Sequence, residues 1–144
     1  MSSTYSYPRP ALTADAVVIC KTDKTVLLIQ RKKEPFIDQW ALPGGFVGPY
    51  EEPFKACLRE LTEETQLDLK ETNENLIGVF GKKGRDPRGW IISVAYFFMV
   101  EQSEKSLVQA GSDSKNVKWI PLDQVQDLAF DHEVIIPLAV RTFF

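Results

Sequence analysis

Residues 44–67 read GGFVGPYEEPFKACLRELTEETQL and contain the most informative pattern of the chain. Two adjacent glycines at the start favour a loop. Pro53 suits the first turn of a helix, and the two glutamates before it favour the positive end of the helix dipole. Apolar residues then recur at the helical spacing i, i+3, i+4 and i+7, namely Phe54, Cys57, Leu58 and Leu61. The segment therefore predicts a glycine-rich loop followed by an amphipathic helix.

A second face of this helix is acidic. At 100° per residue, Glu60, Glu63 and Glu64 gather about 120° from the apolar stripe. Like charges at these spacings repel each other, so a cation should lie among them. Arg59 can neutralise one partner, for example Glu51, but several carboxylate oxygens together are also what Mg²⁺ prefers. An ordinary solvated acidic face is the alternative that this helix alone leaves open.

The composition bounds the class of protein. A chain of 144 residues fits one domain, 1–144, which buries roughly two-thirds of its unfolded surface. The formal net charge is −3 without long charged runs, so electrostatics favours neither nucleic acid nor a membrane as partner. Residues 1–10 are expected to form an extended N-terminal segment, and they lack a secretion or transit pattern, which predicts a cytoplasmic protein. Cys20 and Cys57 are too few for a disulfide framework and are predicted to be small core residues.

The rest of the chain mixes strand and helix patterns. Alternating apolar residues predict a hairpin, with strands at 14–19 and 26–29 around a turn at 21–24 and a loop from Pro35 to Tyr50. Further strands are predicted at 76–80, 91–100 and 116–120, the second of them central and buried on both faces. An apolar segment at 131–140 predicts a second helix, which Pro137 either kinks or forces to start later. The expected fold is α/β, with a mixed sheet covered on both faces.

The spacing in the first helix is that of a known motif. The fixed positions match G-x5-E-x7-R-E-U-x-E-E-x-G-U, where U is a bulky aliphatic residue, at Gly45, Glu51, Arg59, Glu60, Leu61, Glu63, Glu64 and Leu67. This resembles the box of the Nudix hydrolases and implies their α/β/α sandwich. One position departs, because the family has glycine where this chain has Gln66. Since glycine there lets the chain leave the helix in a left-handed conformation, we expect altered loop geometry but retained metal binding.

The resemblance implies a role for each matched residue. Glu60, Glu63 and Glu64 would coordinate Mg²⁺, or Mn²⁺, together with the backbone carbonyl of Gly44. Arg59 and Glu51 would brace the loop against the helix. The metal would polarise a phosphoryl oxygen and acidify the attacking water, with a carboxylate as proton acceptor. Glu63 is one candidate for that base, and Asp86, Asp113 and Glu133 are equally open.

Stretches outside the box resemble one branch of the family. They are residues 7–10, 36–45, 85–89 and 129–132, and the branch contains ADP-ribose pyrophosphatases and the ADP-ribose-sensing regulators of NAD metabolism. Arg31, Arg85 and Arg88 would then supply cations for a diphosphate, and Phe36, Trp40 or Phe46 would stack on adenine. Simpler interpretations exist: a solvated Arg31, a plain turn at 86–89, and a core position for Trp40.

Three functions follow from these patterns. The preferred one is hydrolysis of ADP-ribose to AMP and ribose 5-phosphate, and its alternatives are a non-catalytic ADP-ribose sensor and a hydrolase of oxidised nucleoside triphosphates. The complete set of box carboxylates favours an enzyme. His132 is expected to play a structural role with a local hydrogen bond. Phe143 and Phe144 are expected to dock on the core or on a second subunit, and family resemblance implies a homodimer.

Overall fold

The computed structural model describes residues 6–70, 72–111 and 114–144. Its strands and helices are, in chain order, β1 (Ala11–Cys20), β2 (Thr25–Arg31), β3 (Trp40–Ala41), β4 (Gly44–Phe46), α1 (Pro53–Thr65), β5 (Asn75–Phe80), β6 (Ile91–Val100), α2 (Gln102–Lys105), β7 (Ser114–Pro121) and α3 (His132–Phe143). A short 3₁₀ turn at Leu122–Gln124 follows β7. None of the helices within the described ranges has the length and apolarity to cross a bilayer.

The sheet is mixed and runs in the order β3-β2-β1-β6-β5. β1 and β6 pair in parallel along their full lengths, from Ala11 opposite Ile91 to Cys20 opposite Val100. The other pairings are antiparallel, including β4 on β1 and β7 on β2. β1 therefore lies in the middle of the sheet, between the glycine-rich β4 and the apolar β6.

Both faces of the sheet are covered, because alternate residues of β1 enter two different cores. Ala16, Val18 and Cys20 pack with Ala56, Cys57 and Leu61 of α1. Val17 and Ile19 pack on the other face with α3, at Ile135, Ile136 and Ala139. The predicted α/β sandwich is confirmed, since one helix lies on each face of a mixed sheet.

Several elements agree with the sequence patterns. The hairpin of β1 and β2, the start of α1 at Pro53 and the central place of β6 are as predicted. Cys20 and Cys57 are buried free thiols, also as predicted, and burial raises the pKa of the Cys57 thiol well above its usual range.

One expectation about segments needs correction, and one of the two alternatives for Pro137 is excluded. The stretch from Pro35 to Tyr50 is not wholly loop, because β3 and β4 lie within it and pair with β2 and β1. Both are too short for periodicity to reveal, and their partners are distant in sequence. α3 begins at His132 and continues through Pro137, so the proline does not delay its start.

Candidate active site

The glycine pair at the start of β4 is required by close packing. Gly44 lies opposite Asp15 of β1, and a Cβ atom on it would overlap the Asp15 carboxylate and the Ala14 carbonyl oxygen. A Cβ atom on Gly45 would overlap the carboxylate of Glu60. Pro43 is held as well, since its carbonyl oxygen accepts a 2.8 Å bond from the Ala16 N–H. This segment is therefore pressed between β1 and the acidic face of α1.

Glu64 is the deepest of the three box carboxylates. It is 7% exposed, and its Oε1 accepts the Gly44 N–H at 2.6 Å. Burial raises the pKa of Glu64 well above its usual range; the Gly44 N–H and the charge of Arg31 act against this, while the charges of Glu60 and Asp15 add to it. Glu64 is thus a buried acid at the junction of helix and loop, and nearby positive charge would stabilise its ionised form.

Arg59 joins the loop to α1 through the next set of contacts. Its Nε and Nη2 donate to the two carboxylate oxygens of Glu51 at 2.9 Å, and its Nη2 also donates to the Phe46 carbonyl at 3.1 Å. Glu51 in turn accepts the Gly48 N–H at 2.9 Å. The Arg59 guanidinium and the Gly48 N–H lower the pKa of Glu51 to about 2, and the Glu51 carboxylate raises the pKa of Arg59. These are the contacts that a brace between loop and helix requires.

The other two box carboxylates also meet Arg59. Its Nη1 donates to Glu60 at 2.9 Å and to Glu63 at 3.3 Å. The Glu60 side chain is 14% exposed and the Glu63 side chain 40% exposed, so Glu63 is the more accessible of the two. The three glutamates therefore lie on one surface, with Glu64 directed inwards and Glu63 towards solvent.

The donor chemistry of this surface fits a hard divalent cation. Glu60 and Glu64 border the same pair of glycines, and carboxylate oxygen is the ligand type that Mg²⁺ prefers. Across residues 6–70, 72–111 and 114–144, no three His, Cys, Asp or Glu side chains form a ready metal cage. Arg59 accounts for part of this, because it holds the oxygens of Glu60 and Glu63, and Glu64 meets the N–H of Gly44.

A cleft opens beside Glu64 and brings the three predicted arginines together. Its lining includes Arg31, Arg85 and Arg88, the ring of Phe46, and Asp15, Gly44 and Glu64. Positive side chains thus face a buried acid across one cavity. Such an arrangement suits an anionic ligand whose charge is shared with a cation on the acidic side.

The three arginines differ in their hydrogen-bond partners and in how far their side chains are buried. Arg31 donates from Nε to the Pro35 carbonyl at 2.6 Å, and burial lowers its pKa. Arg85 is nearly enclosed, with 4% of its side chain exposed, and makes two bonds to Asp131 at 2.7 and 2.9 Å. Arg88 is 34% exposed and pairs through Nε and Nη2 with Asp86 at 3.0 and 2.8 Å. Arg88 therefore has the most freedom to reorient towards a ligand.

The predicted stacking residues divide into two groups. Phe46 lines the cleft, with its ring 4.7 Å from the guanidinium carbon of Arg88. Phe36 is outside the lining and meets the ring of Phe130 edge to face, with centroids 4.9 Å apart. Trp40 packs against the core on the α3 side, and the Lys118 Nζ lies 4.1 Å from its ring centroid. Stacking of Phe36 or Trp40 on a base stays a prediction.

The candidate bases lie in different surroundings. Glu63 is half-exposed beside Arg59, whereas Asp86 is buried and bonded to Arg88. Glu133 lies in the first turn of α3 and accepts the N–H of Leu128, which precedes the helix, at 2.7 Å. Asp113 lies outside the described residues. Glu63 is the candidate that combines access to water with a place on the box surface.

Three polar or aromatic residues of the cleft, Asp15, Phe130 and His132, are not among the binding or catalytic residues predicted from the sequence. His132 is 3% exposed, and its Nδ1 accepts the Leu42 N–H at 3.0 Å, a long-range contact where a local one was expected. Burial lowers the pKa of His132. Asp15 accepts a short hydrogen bond from Ser93 Oγ and lies 3.9 Å from His132 Nε2. One signal was present in the sequence, since Asp15 is the only acid in the apolar run of β1.

Comparison with known proteins places this site in a family context. Residues 10–139 match the NUDIX domain family. The chain is 41% identical to an ADP-ribose pyrophosphatase of Methanocaldococcus jannaschii over 90% of its own length and 73% of that protein. It is 35% identical to the ADPR responsive transcriptional repressor NtrR of Acinetobacter baylyi, over 92% of this chain but only 54% of the repressor.

The fold is also similar to that of a solved NUDIX domain. The NUDIX domain of Shewanella oneidensis NrtR, in a cocrystal with ADP ribose, superposes with a TM-score of 0.84 at 32% identity. The match covers 96% of this chain and 92% of that one.

Proposed function

The chain belongs to the Nudix family and is a Nudix hydrolase, and we propose that it hydrolyses ADP-ribose to AMP and ribose 5-phosphate with the help of Mg²⁺ or Mn²⁺. The observation that carries the proposal is the buried carboxylate of Glu64, held at Gly44 on the wall of a cleft that also contains three arginines. The 41% identity to an ADP-ribose pyrophosphatase supports the choice of substrate.

Two arginines of the cleft and one glutamate of the box surface take part in this reaction. Water attacks one phosphorus of the diphosphate, the bridging oxygen leaves with the other phosphate, and the water proton passes to a base. Arg88 and Arg31 balance the charge of the diphosphate. Glu63 accepts the proton in our proposal, since it is the half-exposed acid of the box surface.

The metal would be held by Glu60, Glu63, Glu64 and the Gly44 carbonyl. When bound, it supplies Lewis-acid polarisation of a phosphoryl oxygen and lowers the pKa of water. Arg59 would release its bonds to Glu60 and Glu63, while its two bonds to Glu51 keep the loop on α1. Homodimerisation and a cytoplasmic location remain predictions beside this proposal.

The test is a phosphate-chemistry assay with Mg²⁺ on ADP-ribose, comparing wild type with Glu64→Gln. We expect the variant to lose roughly 100-fold or more in turnover, because a metal ligand becomes a neutral amide. Mn²⁺ binding, followed by electron paramagnetic resonance, should weaken in parallel. Glu52→Gln is the matched control, since Glu52 precedes α1 and is exposed away from the cleft. Equal turnover by wild type and Glu64→Gln would contradict the proposal.

A second function has support in the repressor relatives. A non-catalytic sensor would bind ADP-ribose through the same cleft without cleaving it, and the similarity to NtrR and to the ADP-ribose-bound NrtR domain favours this alternative. The assay separates the two, because tight binding of ADP-ribose to wild type without turnover would favour the sensor.

A further inference from the structure

The ring of Phe130 lies in the cleft without a task in the reaction described above. It contacts the guanidinium carbons of Arg31 and Arg88, which are 4.9 and 5.3 Å from its centroid. Its edge is fixed by Phe36 and by His132, whose ring centroid is 5.3 Å away. Phe130 therefore packs on the apolar cluster of Ile29, Ala41 and Ala129 and presents its ring to two planar cations.

The backbone of Phe130 is also unusual. Its φ angle is 55°, in the left-handed region that a bulky residue rarely adopts. Such conformations cost free energy and concentrate at ligand sites. The neighbouring chain maintains this one, because Ala129 donates its N–H to the Trp40 carbonyl at 2.9 Å. The strained residue is thus the one whose aromatic ring lines the cleft.

Arg88 lies over two aromatic rings at once. Its guanidinium carbon is 4.7 Å from the centroid of Phe46 and 5.3 Å from that of Phe130. The guanidinium is flat and stacks on aromatic faces, as a nucleobase does. Phe46 and Phe130 thus form a surface for a flat group, and a side chain of the protein covers it.

The size of the cleft favours movement of this side chain when a ligand binds. The space left beside Glu64 is about 50 Å³, whereas sites for small ligands span roughly 300–1,000 Å³. Arg85 is enclosed and bonded twice to Asp131, so it is fixed. Arg88 is 34% exposed, and its guanidinium forms an ion pair with the buried Asp86. Arg88 is therefore the more mobile of the two, and when its guanidinium turns away from Asp86 the Arg88 N–H still bonds to the Asp86 carboxylate at 3.0 Å.

We propose that Phe130 and Phe46 bind the flat base of a nucleotide, at the place that the Arg88 guanidinium covers, and that Arg88 moves from the rings to the phosphates when the nucleotide enters. The inference rests on the proposed function, since it assigns the base-binding part of that same cleft. It makes Phe130 a specificity-determining residue for substrates that carry a base.

The test uses two ligands that differ only by the base, AMP and ribose 5-phosphate, with binding measured by titration calorimetry. Phe130→Leu keeps an apolar side chain but removes the aromatic face, and we expect roughly tenfold weaker binding of AMP with unchanged binding of ribose 5-phosphate. Phe130→Tyr keeps the face and should bind both ligands as wild type does. Phe80→Leu is the matched control, because Phe80 is a part-buried phenylalanine of the core on the α3 side. Its AMP binding should stay at the wild-type level.

Arg88→Gln tests the movement. The shorter amide can still bond to Asp86 but withdraws from the rings, so adenosine, which has no phosphate, should bind several-fold more tightly than to wild type. ADP-ribose should bind more weakly, because the cation for its phosphates is lost. Weaker binding of adenosine would overturn the displacement.

The outcomes distinguish this inference from the proposed function. If wild type hydrolyses ADP-ribose and Phe130→Leu binds AMP like wild type, the base site is wrong and the enzyme assignment stands. If wild type cleaves no ADP-ribose but Phe130→Leu selectively weakens AMP, the base site stands and the assignment is wrong. Thermal unfolding of each variant confirms that the folded protein is compared.

Discussion

At the scale of single residues, His132 connects the start of α3 to the glycine-rich segment. Its Nδ1 accepts the Leu42 N–H at 3.0 Å, and the neutral ring then carries its proton on Nε2, which faces Asp15. Leu42 stands two residues before Gly44, so this bond limits how far the segment can move from β1. We infer that His132 is a positioning residue, because it acts on the site through Leu42.

Substitutions at His132 can separate positioning from packing. Asparagine can place its Oδ1 near the position of Nδ1, whereas the longer glutamine places its amide nearer to Nε2. We expect His132→Asn to keep most of the turnover and His132→Gln to lose roughly 10- to 100-fold, the usual effect of removing a supporting contact. Hydrogen exchange at the Leu42 amide should accelerate in the glutamine variant alone. Equal behaviour of the two variants would show that Leu42 is not the relevant partner.

The metal-site residues that helical periodicity predicts are those that one helix brings together. Glu60, Glu63 and Glu64 share a surface because helical geometry is local, so their spacing was sufficient. Asp15 and Phe130 join the site only through the pairing of β4 with β1 and the turn before α3. Residues brought together by such distant pairings leave no periodic pattern in the sequence.

At the scale of elements, the end of α1 shows how the chain accommodates the missing box glycine. Gln66 takes the left-handed conformation itself, with φ 63° and ψ 10°, and its N–H bonds to the Thr62 carbonyl. Its side chain donates to the Ala110 carbonyl at 3.0 Å. The chain around Gly111 also closes on the helix, since the Gly111 N–H donates to the Glu64 carbonyl at 2.9 Å. The expected change in loop geometry is therefore absent at Gln66, because the residue adopts the conformation that suits glycine.

Restoring the glycine should stabilise the fold slightly. Gln66→Gly removes a left-handed strain of about 1 kcal/mol and loses one exposed hydrogen bond worth less than that, about 0.5 kcal/mol. We expect the free energy of unfolding in urea to rise by roughly 0.5 kcal/mol. Gln66→Ala keeps the strain and loses the bond, so it should be less stable than wild type. A glycine variant less stable than the alanine variant would refute this account.

Element boundaries were predictable where the pattern was long. α1 and β6 have ten or more residues with a clear period or a continuous apolar run, and both lie where the sequence placed them. β3 and β4 have two and three residues, so their existence depends on the partner strands. α3 passes through Pro137 because its apolar face is packed on the sheet, which offsets the lost main-chain bond.

At the scale of the whole molecule, one buried ion pair ties the chain before β6 to α3. Arg85 and Asp131 are 46 positions apart, and the Arg85 side chain is 4% exposed. Asp131 precedes α3 but makes no side-chain cap bond to it. The carboxylate of Asp131 therefore serves mainly to pair with Arg85.

Removing this carboxylate should be costly. Asp131→Ala leaves the Arg85 charge buried without its partner, and we expect a loss of about 3 kcal/mol or more in the free energy of unfolding. Lys115→Ala is the control, since it breaks an exposed ion pair with Asp38. The side chains of Lys115 and Asp38 are both more than half exposed. That change should cost less than about 1 kcal/mol. Both free energies of unfolding are measured with urea at pH 7. Similar losses in the two variants would contradict the claim that burial makes the Arg85–Asp131 pair the more costly one to break.

The parallel pairing of β1 with β6 has a consequence for how the protein is made. β1 can close its hairpin with β2 as soon as residue 31 has left the ribosome, since those strands are neighbours in the chain. Its opposite edge must wait until Ile91–Val100 has also emerged. We expect the nascent chain to carry an open, apolar strand edge throughout that interval, which makes it a client for chaperones that bind extended hydrophobic segments.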